Sequence, residues 1–301
     1  MKAVVLHGYG GLDQLKFEDV PEPAPQAGEV LVKVAATSIN PVDWKLRSGS
    51  LQQVMPLQLP AILGRDVAGT VERVGEGVRD FRPGDRVMGL VNQTYAQFLV
   101  AKAAELTKIP DKLDTQQAAA LPLVTLTGAQ LIEEGVQPQR GQTVLVTGAA
   151  GGVGRTAVFV AKQAGAVVIA GVRARQVEEA KTFGADRVVA IDAPDALQHI
   201  GQVDAIADTV GHDVILRLLP AIRKGGVLAS VLGAPSEAEQ AGLIARNVWA
   251  HPDAARLHEL ASDVRTGKLV IPIADRMPLA DAARAQQRAE KGGIGKILLI
   301  P

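Results

Sequence analysis

The first hundred residues carry short apolar runs broken by turn clusters. Residues 2–7, 29–36, 67–74, 85–88 and 97–100 are β-prone. Between them fall Pro21-Glu22-Pro23-Ala24-Pro25, Gly75-Glu76-Gly77 and Arg82-Pro83-Gly84-Asp85, each rich in residues that terminate or turn a strand. Close spacing and short connections predict a barrel-like β domain rather than βαβ units. Near Asp114 the rhythm changes. Residues 115–134 read as helical, with a break at Pro122. Strand-like stretches at 143–146, 167–170, 187–191, 204–208 and 226–232 then alternate with helix-like stretches at 153–164, 176–183 and 213–219. That alternation predicts a parallel sheet with helices on both faces. Residues 243–251 look like one further strand and 253–266 like an amphipathic helix. A strand–helix–strand tail follows at 269–273, 279–289 and 296–300, and its docking partner cannot be read from the pattern.

Composition narrows the chemistry. With 301 residues and 47 % hydrophobic positions, the chain has enough apolar material for about two domains. Lys+Arg and Asp+Glu both total 32, so no net charge favours nucleic acid or an anionic membrane. Aromatics at 3 % leave few platforms for stacking single-stranded bases. The absence of cysteine excludes disulfides, iron–sulfur clusters, cysteine nucleophiles and cysteine-bound zinc. No apolar run approaches the roughly 18 residues of a membrane span, and residues 1–8 lack the apolar region of a secretory signal. The expectation is a soluble, cytoplasmic protein whose partners are small molecules, with neither nucleic acid nor membrane.

Thr143-Val144-Leu145-Val146-Thr147 runs into Gly148-Ala149-Ala150-Gly151-Gly152-Val153-Gly154 and then into a helical pattern. Glycines there let a pyrophosphate approach the N–H groups of a helix N-terminus, where the helix dipole also favours negative charge. The strict G-x-G-x-x-G form fails at Ala149, and tight strand–helix packing alone would also ask for glycines. Strand before, helix after and a second strand at the usual interval favour dinucleotide binding. A carboxylate roughly 20 residues on would hold a ribose 2′-hydroxyl. Instead the chain reads Gly171-Val172-Arg173-Ala174-Arg175. Two guanidiniums could clamp a 2′-phosphate, which predicts NADP(H), or they are solvated loop arginines. Ligands of such sheets lie beyond the carboxyl ends of the strands. Asp208-Thr209-Val210-Gly211 and Leu232-Gly233 fall at such ends, where Val210, Gly211, Leu232 and Gly233 could line the cofactor through backbone groups. For Asp208, turn chemistry and an N-cap serve equally well.

Several passages together resemble the zinc-independent quinone oxidoreductase (zeta-crystallin-like) branch of the medium-chain dehydrogenase/reductase superfamily. They are Ser38-Ile39-Asn40-Pro41-Val42-Asp43-Trp44-Lys45, the stretch 63–75, the stretch 81–89, the stretch 120–128, the glycine turn, Asp208-Thr209-Val210-Gly211 and Gly293-Ile294-Gly295-Lys296-Ile297. The resemblance implies an α/β chain. A GroES-like β-barrel-type domain (1–114 and 267–301) would carry a Rossmann doubly wound parallel-sheet domain (115–266), with the active cleft between them. It also implies Thr127 at the cofactor and a homodimer formed through the edge strand near 243–251. In zinc-dependent relatives, metal ligands stand where this chain has Asn40 and Arg65, so no metal is expected here. Relatives often carry an aromatic residue after Ser48-Gly49, and a Tyr at the place of Ile191; this chain has neither.

The implied activity is NADPH-dependent reduction of quinones or α,β-unsaturated carbonyls by direct hydride transfer. The alternative is a non-catalytic NADPH-binding sensor or structural protein. Asn40 and Asp43 are the catalytic candidates. The Asn40 amide could bond the nicotinamide or the substrate oxygen, yet Asn40-Pro41 followed by Asp43 also reads as an N-cap, a first-turn proline and a dipole-matched acid. Arg65 and Asp66, just before a β-like run, could form a structural ion pair or meet the substrate. Tyr95 could donate a hydrogen bond or simply pack. The histidines at 7, 199, 212, 251 and 258 show no metal-ligand spacing and fit surface or capping positions.

Overall fold

The computed structural model describes residues 1–293 and 295–301. Ile294, within the Gly293–Ile297 passage, and the side chain of His212 lie outside the described residues. Two compact units emerge. The first comprises residues 1–123 and 252–301, and the second comprises residues 124–251.

The first unit begins with β1 (Lys2–Leu6), β2 (Leu15–Asp19), β3 (Glu29–Ser38), α1 (Pro41–Ser48) and β4 (Ala61–Ile62). It continues through β5 (Asp66–Val74), β6 (Arg86–Leu90), β7 (Phe98–Lys102), β8 (Leu106–Lys108), α2 (Thr115–Ala119) and the start of α3 (Pro122–Gln130). The strands β2-β1-β4 make one sheet. A larger sheet is built around the ten-residue β3, which pairs antiparallel with β5 and β7. Val30, Val32, Val67, Val71, Val87 and Leu99 fill the space beneath it. The β2 and β8 strands were not legible in the sequence. β2 reads Leu-Lys-Phe-Glu-Asp, an edge strand with only Leu15 buried.

In the second unit, α3 runs on into a π-helical stretch, Leu131–Val136. Then come β9 (Thr143–Thr147), α4 (Gly152–Gln163), β10 (Val167–Val172), α5 (Val177–Ala180), β11 (Arg187–Ala190), α6 (Ala196–Ile200) and β12 (Val203–Asp208). The unit closes with α7 (His212–Leu218), β13 (Ile222–Ser230), α8 (Ser236–Gln240) and β14 (Ile244–Asn247). All six strands are parallel, in the order β11-β10-β9-β12-β13-β14. This is the doubly wound sheet the alternation predicts. Its order reverses between β9 and β12, where a ligand crevice forms in such sheets.

The chain returns to the first unit with α9 (Ala254–Arg265), β15 (Ile273–Pro278), α10 (Ala282–Glu290) and β16 (Lys296–Ile300). Here the tail finds its partner: β16 lies between β15, to which it is parallel, and β3, to which it is antiparallel. The first strand of the tail is therefore Ile273–Pro278 rather than 269–273. Leu269 and Ile271 are buried without joining the ladder. The units also differ at their edges from boundaries at 114/115 and 266/267. The short α2 packs on β3 and β5, and α9 packs on β8, where His258 donates to the Lys108 carbonyl at 3.1 Å. Among the described residues no helix is long and apolar enough to cross a membrane.

Candidate functional site

The glycine turn follows β9 directly. Gly148 takes a left-handed φ of 63°, and a β-carbon there would stand 2.4 Å from the Thr209 hydroxyl. At Gly154 a β-carbon would lie 2.2 Å from the Gly148 carbonyl oxygen, so only glycine lets α4 start this close to its strand. Gly151 is the N-cap of α4 in an extended conformation, and no side chain caps the helix. A β-carbon on Gly151 would touch the Gly148 oxygen at 3.4 Å, an ordinary contact, while one on Gly152 would meet the Val124 side chain at 3.0 Å. Ala149 donates its N–H to Gly171 O at 3.1 Å, which ties the turn to β10. Arg155, which the sequence did not single out, braces the turn from below. Its Nε donates to Ala150 O at 3.0 Å, its guanidinium stacks on Phe183 at 3.9 Å, and it pairs with Glu179.

Next to the turn, Asp208 is fully buried at the end of β12. One carboxylate oxygen accepts from the Thr147 hydroxyl (2.8 Å) and from the N–H groups of Val210 (3.1 Å) and Gly211 (3.0 Å); the other accepts from the Ser230 hydroxyl (2.7 Å). It joins the ends of β9, β12 and β13 and is spent on that work. Val210 and Gly211 are thereby fixed beside Gly148. Leu232 packs against Gly211, and Gly233, at φ 98°, stands in open space. Thr127 is buried on α3. A β-carbon on the adjacent Gly128 would come within 2.5 Å of Val153 O, so this part of α3 lies against the first turn of α4. At the end of β10, Arg173 and Arg175 are exposed. Among the described residues neither guanidinium is held in an ion pair. A helix N-terminus that no side chain caps and two guanidiniums that, among the described residues, form no ion pair at the neighbouring strand end fit a phosphorylated dinucleotide.

The other candidates sit in the first unit, inside a buried polar cluster. Asn40 is the N-cap of α1, and its side chain makes no cap bond. Its Nδ2 donates to Asp66 Oδ2 (2.7 Å) and to Ser38 O (3.4 Å), and its Oδ1 accepts from Lys296 Nζ (2.6 Å). Lys296 also donates to Ile39 O (3.0 Å) and to Asp66 (3.2 Å). Asp66 completes its set with the Ser38 hydroxyl and with the N–H of Leu123, 2.7 Å away in the first turn of α3. The partner of Asp66 is thus Lys296, not the neighbouring Arg65. Arg65 precedes the strand, and among the described residues its Nε is buried without a hydrogen bond.

Asp43 supplies the reciprocal half of the helix start. Its Oδ2 accepts the Asn40 N–H (2.7 Å) and the Tyr95 hydroxyl (2.7 Å), while Oδ1 is buried without a partner. Burial pushes the Asp43 carboxyl from 3.8 up to about 7 against those two bonds, which pull it down. The Tyr95 phenol, buried against that carboxyl, is raised well above its ordinary value. Tyr95 is therefore both a packed core side chain and a donor. Among the described residues no group of three or more His, Asp or Glu side chains could hold a metal.

Residues 26–111 match the alcohol dehydrogenase GroES-like domain family, and residues 183–299 match the zinc-binding dehydrogenase family. Over 334 aligned positions the chain is 32 % identical to the chloroplast envelope quinone oxidoreductase homolog of Arabidopsis thaliana, covering all of this chain and 98 % of that one. The chain belongs to the quinone oxidoreductase branch of the medium-chain dehydrogenase/reductase superfamily. Solved members of the superfamily superpose along their whole length. The quinone oxidoreductase of Coxiella burnetii has 31 % identity and a TM-score of 0.90, covering all of this chain and 99 % of that one. A mycobacterial protein complexed with NADPH has 32 % identity and a TM-score of 0.88, covering both chains completely. In this quinone oxidoreductase branch member the cofactor candidates of the second unit follow the carboxyl ends of β9, β10, β12 and β13 or lie on α3, and Asn40 and Asp43 share one buried network.

Proposed function

We propose that the protein is an NADPH-dependent oxidoreductase that reduces quinones or α,β-unsaturated carbonyls without a metal. The observation that carries this reading is the paired feature of the second unit: an uncapped α4 behind a glycine turn, with Arg173 and Arg175 at the next strand end in no ion pair among the described residues. The first-turn amides of α4 would receive the pyrophosphate, and the two guanidiniums the 2′-phosphate. Val210, Gly211, Leu232 and Gly233 would border the cofactor mainly through backbone groups. Thr127 would approach it from α3. NADPH, when bound, supplies a hydride to an electron-poor acceptor.

In the first unit the donor set supports metal independence. An asparagine amide, an arginine and a lysine ammonium are poor company for zinc, and the cluster already carries its own cation in Lys296. Asn40 and Asp43 enter the proposal as positioning residues: their polar atoms are turned into the cluster, where they hold the start of α1. A homodimer is proposed through β14, which among the described residues pairs only with β13 and ends its sheet. Nearby Ile244 and Trp249 are 46 % and 60 % exposed. Light scattering that finds only monomer would overturn that part.

The test is NADPH absorbance with an ortho-quinone, a para-quinone, an enone and an enal, each with and without chelator, and with NADH in parallel. Chelator-insensitive oxidation of NADPH, faster than that of NADH, is the expected result. Tight NADPH binding without turnover would replace the enzyme by a binding module. Chelator-sensitive turnover would restore a metal.

A further inference from the structure

The loop that follows β10 is not free-standing. The N–H of Ala174, the residue between the two arginines, donates to Asp192 Oδ1 at 2.8 Å, and the N–H of Arg173 donates to Gln176 Oε1 at 3.3 Å. Asp192 stands just past β11, the parallel neighbour of β10, and Ile191 N–H donates to Val172 O at 2.9 Å to hold the two strand ends in step. A carboxylate thus sits at the midpoint of an Arg-Ala-Arg turn. Among the described residues neither guanidinium folds back onto it within ion-pair distance, so the pair stays open while the carboxylate is spent on the backbone. Asp192 is exposed, and among the described residues its hydrogen bond is made through Oδ1.

We infer that Asp192 sets the discrimination between NADPH and NADH at this site, a deduction that rests on the cofactor reading above. Two physical effects of opposite sign meet in this side chain. As an acceptor it fixes Ala174 and so presents Arg173 and Arg175 outward together. As a charge it subtracts from the field those arginines offer a 2′-phosphate, which carries about two negative charges, whereas the 2′-hydroxyl of NADH is neutral and can donate to a carboxylate. The loop is braced for a phosphate and restrained in how strongly it prefers one.

Two variants separate the effects. Asp192→Asn keeps an acceptor oxygen and removes the charge; Asp192→Ala removes both. Dissociation constants of NADPH and NADH are measured by fluorescence titration on wild type and both variants, at low and high salt, with no acceptor present. Asp192→Asn is expected to raise the NADPH:NADH affinity ratio by about fivefold at low salt, with the gain shrinking as salt screens the exposed charges. Asp192→Ala is expected to fall about threefold short of Asp192→Asn for NADPH, because the same charge is gone but the turn is loose. A ratio unchanged in Asp192→Asn, or an Asp192→Ala variant equal to it, overturns the inference while leaving NADPH binding intact. Wild-type protein that binds neither dinucleotide overturns the cofactor reading, and this inference with it.

Discussion

The glycine turn of the second unit and the Asn40 cluster of the first spend their polar groups in opposite ways. Around Gly148–Gly154 the donors that matter are left open among the described residues: no side chain caps the first turn of α4, and the two guanidiniums form no ion pair. Around Asn40 the groups face one another. The Asn40 amide, Lys296, the Ser38 hydroxyl and the Leu123 N–H surround a single carboxylate, Asp66, that is wholly buried. An open donor beside a strand end has a use only when something binds there. A closed cluster works by making one arrangement of the chain cheaper than the alternatives.

The sharpest way to break the contrast is to open the closed cluster. Lys296→Met leaves the Asp66 charge buried without its cation and should cost about 3–5 kcal/mol in denaturant unfolding, much of it recovered when Asp66→Asn is added. Of similar size is the pH dependence that Asp43 brings. Its carboxyl lies at about 7 in the fold against an ordinary 3.8. The folded state therefore holds a proton the unfolded chain has released, and stability from this group is full below pH 4 and lost as pH rises through 7. The difference amounts to roughly 4 kcal/mol. An Asp43→Asn variant should lose that slope, and unfolding curves at pH 4 and pH 8 that fall in parallel for both proteins would refute the assignment.

Milder effects sharpen the open side. Gly154→Ala must push a β-carbon against the Gly148 carbonyl, with an expected cost of about 1–3 kcal/mol and loss of NADPH binding by titration. Smallest is Arg175→Ala, expected to weaken NADPH about tenfold while barely moving NADH. Equal losses for both nucleotides would argue that the arginine holds the loop and not the phosphate.

The two regions were not equally legible in the sequence. A glycine turn is local: strand, turn and helix lie within about twenty residues, and the spacing of Gly148, Gly151 and Gly154 reports the geometry directly. Asp208 was readable as a strand end, but its bonds to Thr147 and Ser230 depend on which strands become neighbours. Lys296 was visible only as part of a short match, because its partners Asn40 and Asp66 lie 256 and 230 positions away. The tail shows the same limit. Apolar content drew attention to residues 269–273, whereas pairing with β16 decided that the strand is Ile273–Pro278. Tyr9 went unremarked because nothing in its own loop shows that it packs on Gly49 and bonds the Leu57 N–H at 2.8 Å.

The long separation of Asp66 from Lys296 also orders events in time. The second unit is a single uninterrupted segment, so a ribosome finishes it before β16 has been made, and domains generally fold as they emerge. At about 5–20 residues per second, the carboxylate of Asp66 waits roughly 10–50 seconds for its ammonium. Through that interval β3 has β5 and β7 beside it but an open flank where β16 will insert. The nascent first unit is then a sheet with a vacant slot and an unmatched charge, and the strand that closes it delivers both pairing and neutralisation in one step.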